Sequence, residues 1–143
     1  MSFIEQLAVS FFATAAFGIL FNVPRKNLVQ CGFVGLIGWL VYLSFTMAGI
    51  DAIPATLIAS FVVTMISHVF AKKYRTPIII FNVSGIIPLV PGGMAYDAMR
   101  HAVGNQYDIA VQLGVKAAMI SGAIAMGLVF SEVIYQVMRR RAA

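Results

Sequence analysis

The sequence predicts an all-α integral membrane protein, and three observations support that class. Of its 143 residues, 61% are hydrophobic and 10% are charged, whereas a soluble domain carries about 25% charged residues. Several apolar runs are long enough to cross a ~30 Å hydrocarbon core as helices. Most basic residues stand in clusters at the ends of these runs. The lone Cys31 excludes an intramolecular disulfide, and no basic patch with exposed aromatic residues favours a nucleic-acid partner.

Five apolar segments form one predicted transmembrane domain. They are segment one (about 3–21), segment two (about 28–47), segment three (about 54–71), segment four (about 77–103) and segment five (about 109–138). Segment three opens at Pro54, because proline is favoured at the first helical position. Segment five is long enough to tilt or to protrude from a bilayer. Segment four is interrupted at Pro88–Gly93, so the fourth crossing is predicted to be broken.

The basic residues predict how the segments are oriented. Cytoplasmic loops of membrane proteins are enriched in lysine and arginine. Three basic clusters follow segments one, three and five: Arg25/Lys26, Lys72/Lys73/Arg75 and Arg139/Arg140/Arg141. Placing all three in the cytoplasm is self-consistent, and it predicts a multi-pass protein of the cytoplasmic (inner) membrane. The N-terminus then lies outside and the C-terminus lies in the cytoplasm.

Segment four begins as a membrane helix at Pro77 and then breaks. Pro88 and Pro91 lack the N–H group that a helix requires, so the first half ends near Ile87. About eleven residues reach only about half of the hydrocarbon core. Broken helices at this depth are tolerated where protein or a water-filled cavity surrounds them, and they point to transport sites. The alternative is a kink that only shapes packing, since proline and glycine are common in membrane helices.

The break supplies candidate substrate-binding residues. Gly92 and Gly93 permit backbone conformations that other residues avoid. We expect the amides of Met94, Ala95 and Tyr96 to open the second half-helix. Free amides at such a terminus carry partial positive charge and suit a carboxylate. The candidate substrate-binding residues are Asn82, Ser84, Pro88, Pro91, Gly92, Gly93 and Tyr96.

Titratable residues near the break are candidates for proton coupling or gating. Asp97 lies four residues from His101 and three from Arg100, so the three share a helix face. An imidazole changes its charge near neutral pH, which suits proton coupling. A surface salt bridge at the outer interface is the alternative interpretation. His68 is a fourth candidate, although its distance of four residues from Lys72 also suits a place at the cytoplasmic interface.

Small and polar stripes on other segments favour close helix packing. They are Thr56, Ser60, Thr64 and Ser67 on segment three, Gly32, Gly35 and Gly38 on segment two, and Gly114, Ala118 and Gly122 on segment five. A pore-lining stripe is the alternative for segment three. The chain has no enzyme motif, so we expect no catalytic residue, cofactor or metal site. Glu132 and Lys116 receive no role from the sequence.

Three stretches resemble the threonine/serine exporter (ThrE-type) family, and the similarity covers nearly the whole chain. They are Ile86 to Met99 (Ile-Ile-Pro-Leu-Val-Pro-Gly-Gly-Met-Ala-Tyr-Asp-Ala-Met), Phe21-Asn-Val-Pro24, and Pro54-Ala-Thr. The chain is most similar to the small YjjB-like membrane subunit of the split members. The positions that match the motif are Asn22, Pro24, Pro88, Pro91, Gly92, Tyr96 and Met99. Among them, Asn22 and Pro24 are hinge candidates.

The resemblance implies export of a small carboxylate or amino acid, such as threonine, serine or succinate, driven by the proton gradient. It also implies a larger partner subunit with a soluble domain and five helices. The odd number of crossings independently indicates that the chain works with a partner or as a homo-oligomer in the lipid membrane. A non-transporting membrane scaffold or assembly subunit is the alternative function, supported by the small-residue stripes.

Overall fold

The computed structural model describes residues 2–142, and all regular structure in that range is helical. The α-helices are α1 (Phe3–Leu20), α2 (Leu28–Met47), α3 (Ala52–Tyr74), α4 (Ile78–Ile86), α5 (Gly92–Val103) and α6 (Tyr107–Ala142), with 3-10 turns at Arg25–Asn27 and Ile87–Leu89. In this range α1, α2, α3 and α6 are each long and apolar enough to cross a membrane. A fifth crossing is counted if α4 and α5, which meet at a bend of 48°, form one span. The predicted all-α membrane class is therefore confirmed.

The observed helix bounds differ from the predicted segments mainly at the ends. Helix α3 begins two residues before Pro54, which occupies the third helical position, where a missing N–H still costs no hydrogen bond. Helix α6 extends past both predicted ends and reaches 36 residues. The second half of the broken segment begins at Gly92 instead of Met94.

Glycines let α1, α2, α3 and α4 approach one another closely. A Cβ atom at Gly35 would overlap the Thr14 side chain of α1. At Gly85 of α4, a Cβ atom would lie 2.6 Å from Val34 and 2.9 Å from Val63. The buried core forms around this crossing and consists of Val23, Cys31, Val34, Ala59, Val63, Phe81, Leu89, Ile120 and Ile124. The stripe predicted on segment two therefore packs as expected, and it holds the short helix α4 inside the bundle.

Helices α3 and α6 run parallel, side by side. Gly127 of α6 lies against Leu57 and Phe61 of α3, and farther along Glu132 lies against His68. At this register, roughly the first twelve residues of α6, about 18 Å of helix, extend beyond the start of α3. Helix α5 packs along this extension, so the two helices form a hairpin that projects from the bundle. We call α5 and the first twelve residues of α6 (107–118) the projecting hairpin.

Candidate functional site

The chain turns at the break through two distinct backbone features. The 3-10 turn Ile87–Leu89 has Pro88 near its start, and Val90 then adopts an extended conformation. Helix α5 restarts directly after Pro91 and leaves the axis of α4 by 48°. The predicted interruption at Pro88–Gly93 therefore exists, but its irregular part is shorter than the sequence indicated, because both glycines are helical.

The glycines of the break do not take the backbone role expected of them. Neither Gly92 nor Gly93 has a positive φ, and a Cβ atom at either position would meet no atom within 4 Å. Because the helix restarts at Gly92, the amide of Ala95 already donates to the Pro91 carbonyl at 3.0 Å. The expectation that the amides of Ala95 and Tyr96 are free is therefore wrong. The Gly92 amide donates to the Val90 carbonyl, so the unpaired amides of the first turn are those of Gly93 and Met94.

A cavity of about 270 Å³ lies at the break. Pro88 and Trp39 line it together with Gln6, Val9, Ser10 and Ala13 of α1. The Ser10 hydroxyl donates to the Gln6 carbonyl at 2.8 Å, whereas the buried indole Nε1 of Trp39 has no acceptor among the described residues. The cavity is slightly smaller than the ~300 Å³ at which ligand pockets usually begin, so its size suits a small ligand.

A second cavity, of about 200 Å³, lies beside α4, before the break. Ser84 lines it with Phe21, Val23, Ile79, Ile80 and Val83. The Ser84 side chain is fully buried, and its hydroxyl makes no hydrogen bond of good geometry within the described part of the chain. Both cavities lie between α1 and the broken segment, and one lining residue of each, Trp39 or Ser84, has a buried polar hydrogen without a well-aligned acceptor in residues 2–142.

Asn82 points away from these cavities. Its Oδ1 accepts a hydrogen bond of 3.2 Å from the Thr64 hydroxyl of α3. The Thr64 hydroxyl also reaches the Ser60 carbonyl, and Thr56, Ser60 and Ser67 likewise donate to carbonyls of their own helix. Hydroxyls that are satisfied in this way can be buried in a membrane bundle at little cost. The polar stripe of segment three is therefore a packing surface within the described residues, and Asn82 is joined to it.

The charged candidates of α5 lie on the surface of the projecting hairpin. Tyr96, Asp97 and Arg100 are exposed, and no hydrogen bond or ion pair joins Asp97 to Arg100 or His101 in residues 2–142. The Nδ1 atom of His101 instead contacts Oε1 of Gln106 in the following turn. The shared helix face predicted for these residues exists, but it faces outward from this chain.

His68 has a partner that the sequence did not predict. Its Nε2 atom lies 2.9 Å from Oε2 of Glu132, in the position of an ion pair but without the alignment of a hydrogen bond. The ring of Tyr135 stacks on the imidazole with centroids 3.9 Å apart, and Gln136 donates to the other Glu132 oxygen at 2.9 Å. The partners are far apart in sequence. The only available signal was that each stands shortly before a basic cluster at the end of its helix.

The hinge candidates Asn22 and Pro24 form the end of α1. Asn22 has a φ of 57°, its amide donates to the Ile19 carbonyl, and the Val23 amide donates to the Gly18 carbonyl. This double hydrogen bond with a left-handed residue is a Schellman motif, in which asparagine is the usual substitute for glycine. Pro24 follows and prevents the helix from continuing.

A comparison with protein-family models extends these observations beyond the single chain. The model described as "Threonine/Serine exporter, ThrE" matches residues 6–134. The chain belongs to the threonine/serine exporter family. The match includes the broken segment, the Asn22–Pro24 turn and the His68–Glu132 pair, and the exporter family is one of membrane transporters. No solved structure matches the chain.

Proposed function

We propose that this chain is a membrane subunit that exports a small carboxylate or amino acid, with threonine, serine or succinate as the first substrates to test. Membership in the exporter family carries the proposal. The structural feature that supports a transport role is the broken helix whose Pro88 lines a cavity. Irregular backbone inside a membrane bundle is tolerated where it borders such a space.

The proposed substrate path runs along the seam between α1 and the broken segment. This seam holds both cavities, and the Ser84 hydroxyl and the Trp39 indole supply polar hydrogens that a substrate carboxylate can accept. Gly93 and Met94 offer further amides where α5 begins. Of the predicted binding residues, Ser84 and Pro88 line these cavities; Asn82, Pro91, Gly92, Gly93 and Tyr96 stay proposals for a path completed by another chain.

The proposed assembly includes a larger partner subunit or further copies of this chain. The described helices leave both cavities partly open, and the charged face of α5 has no partner within them. Asp97, Arg100 and His101 are proposed to gate or to relay protons in such an assembly. The basic clusters support a cytoplasmic C-terminus, an external N-terminus and a place in the inner membrane.

The decisive experiment is transport in liposomes. The purified chain is reconstituted alone and with the larger subunit, and the movement of labelled L-threonine, L-serine and succinate is followed under an imposed pH difference. We expect at least one of the three to move. If none moves in either preparation, the proposed export function is wrong for these substrates.

A scaffold is the second candidate function, because Gly114 and Gly122 present open Cβ positions on α6. The Gly92→Leu variant separates the two functions, since the added side chain meets nothing within this chain. If the transport path lies at the break, the variant assembly loses flux but still forms. If the chain is only a scaffold, the assembly forms and its flux is unchanged.

A further inference from the structure

We propose that Glu132 and His68 together form a proton-binding site that couples export to a proton gradient. This inference rests on the proposed export function and deepens it by adding a carboxylate to the candidate His68. The two residues bridge α3 and α6, the helices with the longest shared interface in the described bundle.

His68 and Glu132 are close enough to share a proton. The His68 side chain is only 8% exposed, and its Nε2 lies 2.9 Å from Glu132 Oε2. Tyr135 covers one face of the ring, which holds the imidazole with Nε2 close to the carboxylate. One shared proton between these atoms makes the pair neutral, which is the arrangement that costs least in a membrane.

The Glu132 carboxylate is accessible to water. Glu132 is 45% exposed and borders a cavity of about 440 Å³ at the end of the bundle that carries the basic clusters. This cavity is an open groove on one face of α6, lined by Glu132, Tyr135, Gln136, Arg139 and Arg140. Glu132 stands about 10 Å along the helix from Arg139, so the carboxylate lies inward of the charged helix end while the cavity connects it to that end. A proton can therefore be exchanged on the cytoplasmic side.

The groups around the pair are few. Near the pair, the other titratable and charged residues are Lys72, Lys73 and Tyr74 on α3 and Tyr135, Arg139, Arg140 and Arg141 on α6, while α2 carries Cys31 and Tyr42. Tyr107, Asp108 and Lys116 lie toward the other end of α6. The Cys31 thiol donates to the Ile80 carbonyl and Tyr42 stacks on Trp39, so neither engages the pair. Helix α4 contributes no titratable group. The remaining neighbours are cations, Tyr74 and Tyr135, which leaves Glu132 as the carboxylate of this cluster within the described residues.

The His68–Glu132 pair changes its net charge when it exchanges one proton. With one proton, the pair is neutral. Loss of that proton to the cytoplasmic cavity leaves a carboxylate and a neutral imidazole, with a net charge of −1. Uptake of a proton from the path restores the neutral pair. No redox partner or further reactant is required.

The experiment compares Glu132→Gln and His68→Gln with the wild type in liposomes, and Asp108→Asn serves as a control carboxylate at the other end of α6. For one proton exchanged per substrate, a difference of about one pH unit supports about tenfold accumulation in an acidic lumen. We expect the wild type and Asp108→Asn to accumulate threonine, serine or succinate to that extent. Both pair variants are expected to retain exchange without a pH difference, which proves that they fold, but to show no accumulation. Accumulation within about twofold of the wild type in both variants would overturn the proposal.

A second measurement does not depend on transport. The chain has two histidines, so the ring nitrogens of His68 and His101 can be followed separately by NMR in nanodiscs with labelled histidine. We expect the His68 signals to depend on pH in the wild type and to depend on it differently in Glu132→Gln, while the His101 signals are the same in both proteins. A His68 that keeps one protonation state at every pH tested refutes the proton site even if export is observed. If no substrate moves but His68 titrates with Glu132, the export function fails and the proton site stands.

Discussion

Glycine has two different roles in this protein, and the space around each Cβ position separates them. Gly127 of α6 lies against Ser60 and the backbone of Leu57 and Phe61, so it allows α6 to touch α3. Gly122, earlier on the same helix, has no atom within 4 Å of its Cβ position. The sequence showed a small-residue stripe at Gly114, Ala118 and Gly122, but the face that packs on α3 is a different one. Helical spacing reveals that a stripe exists, not which stripe meets a neighbour in the same chain.

Alanine substitutions should distinguish these two glycines. Gly127→Ala introduces a methyl group into occupied space, and we expect it to destabilise the protein by about 1–3 kcal/mol. Gly122→Ala should be neutral or stabilising by about 0.5–1 kcal/mol, because alanine favours the helix more than glycine does. Thermal unfolding of the two variants in the same detergent tests this. Equal stabilities would contradict the close contact between α3 and α6.

The main role of Asn22 is to end α1, because its backbone adopts the left-handed conformation. We expect Asn22→Gly to fold with unchanged or slightly higher stability, since glycine adopts this conformation without strain. Asn22→Val should lose about 1–2 kcal/mol, because a β-branched side chain disfavours the positive φ that asparagine tolerates. Unfolding temperatures provide the comparison. If Asn22→Gly folds but loses export, Asn22 has a role beyond the turn, as the resemblance to the exporter family implied.

At the scale of elements, the broken segment is where prediction from sequence succeeded and then stopped. The prolines identified the interruption because their missing N–H groups cannot be replaced by any neighbour. The restart at Gly92, the direction of α5 and the His68–Glu132 contact depend on packing between distant residues, which no local pattern encodes. The single helical face of Asp97, Arg100 and His101 was foreseen, but not that it points away from this chain.

Joining α4 and α5 into one helix should be incompatible with the fold of the hairpin. The double variant Pro88→Ala, Pro91→Ala removes both obstacles to a continuous helix. A straight continuation would carry α5 away from α6, because the natural bend is 48°. We therefore expect export to be lost while membrane insertion is retained, measured as flux in liposomes and extraction behaviour of the membrane fraction. Unchanged flux would show that the break is only a kink that shapes packing.

At the scale of the whole molecule, the bundle and the projecting hairpin have different compositions. The bundle buries an apolar core around Gly38 and Gly85, and the hairpin carries Asp97, Arg100 and Lys116 on its surface. Helix α6 at 36 residues is about 54 Å long, which exceeds the hydrocarbon core by a wide margin. We infer that the outer end of the hairpin, where α5 turns into α6, lies outside the hydrocarbon core.

Cysteine labelling tests both the orientation and the hairpin. In a Cys31→Ala background, single cysteines replace Lys73, Val103 and Lys116, all of which are exposed. A membrane-impermeant maleimide applied to intact cells should label positions 103 and 116 and leave position 73 unlabelled until the membrane is permeabilised. Labelling at position 73 alone would show that the orientation is the opposite of the proposed one. Labelling at 103 without 116 would place the base of the hairpin in the hydrocarbon core.

The shortness of α4 also bears on how the chain is inserted during synthesis. Helix α4 and the following 3-10 turn together cover Ile78–Leu89, about half the length of a membrane crossing. Such a stretch is too short to leave the translocation channel as an independent span. The chain therefore has to keep this stretch close to α2 and α3, which precede it in the chain and whose glycine and valine surfaces receive it.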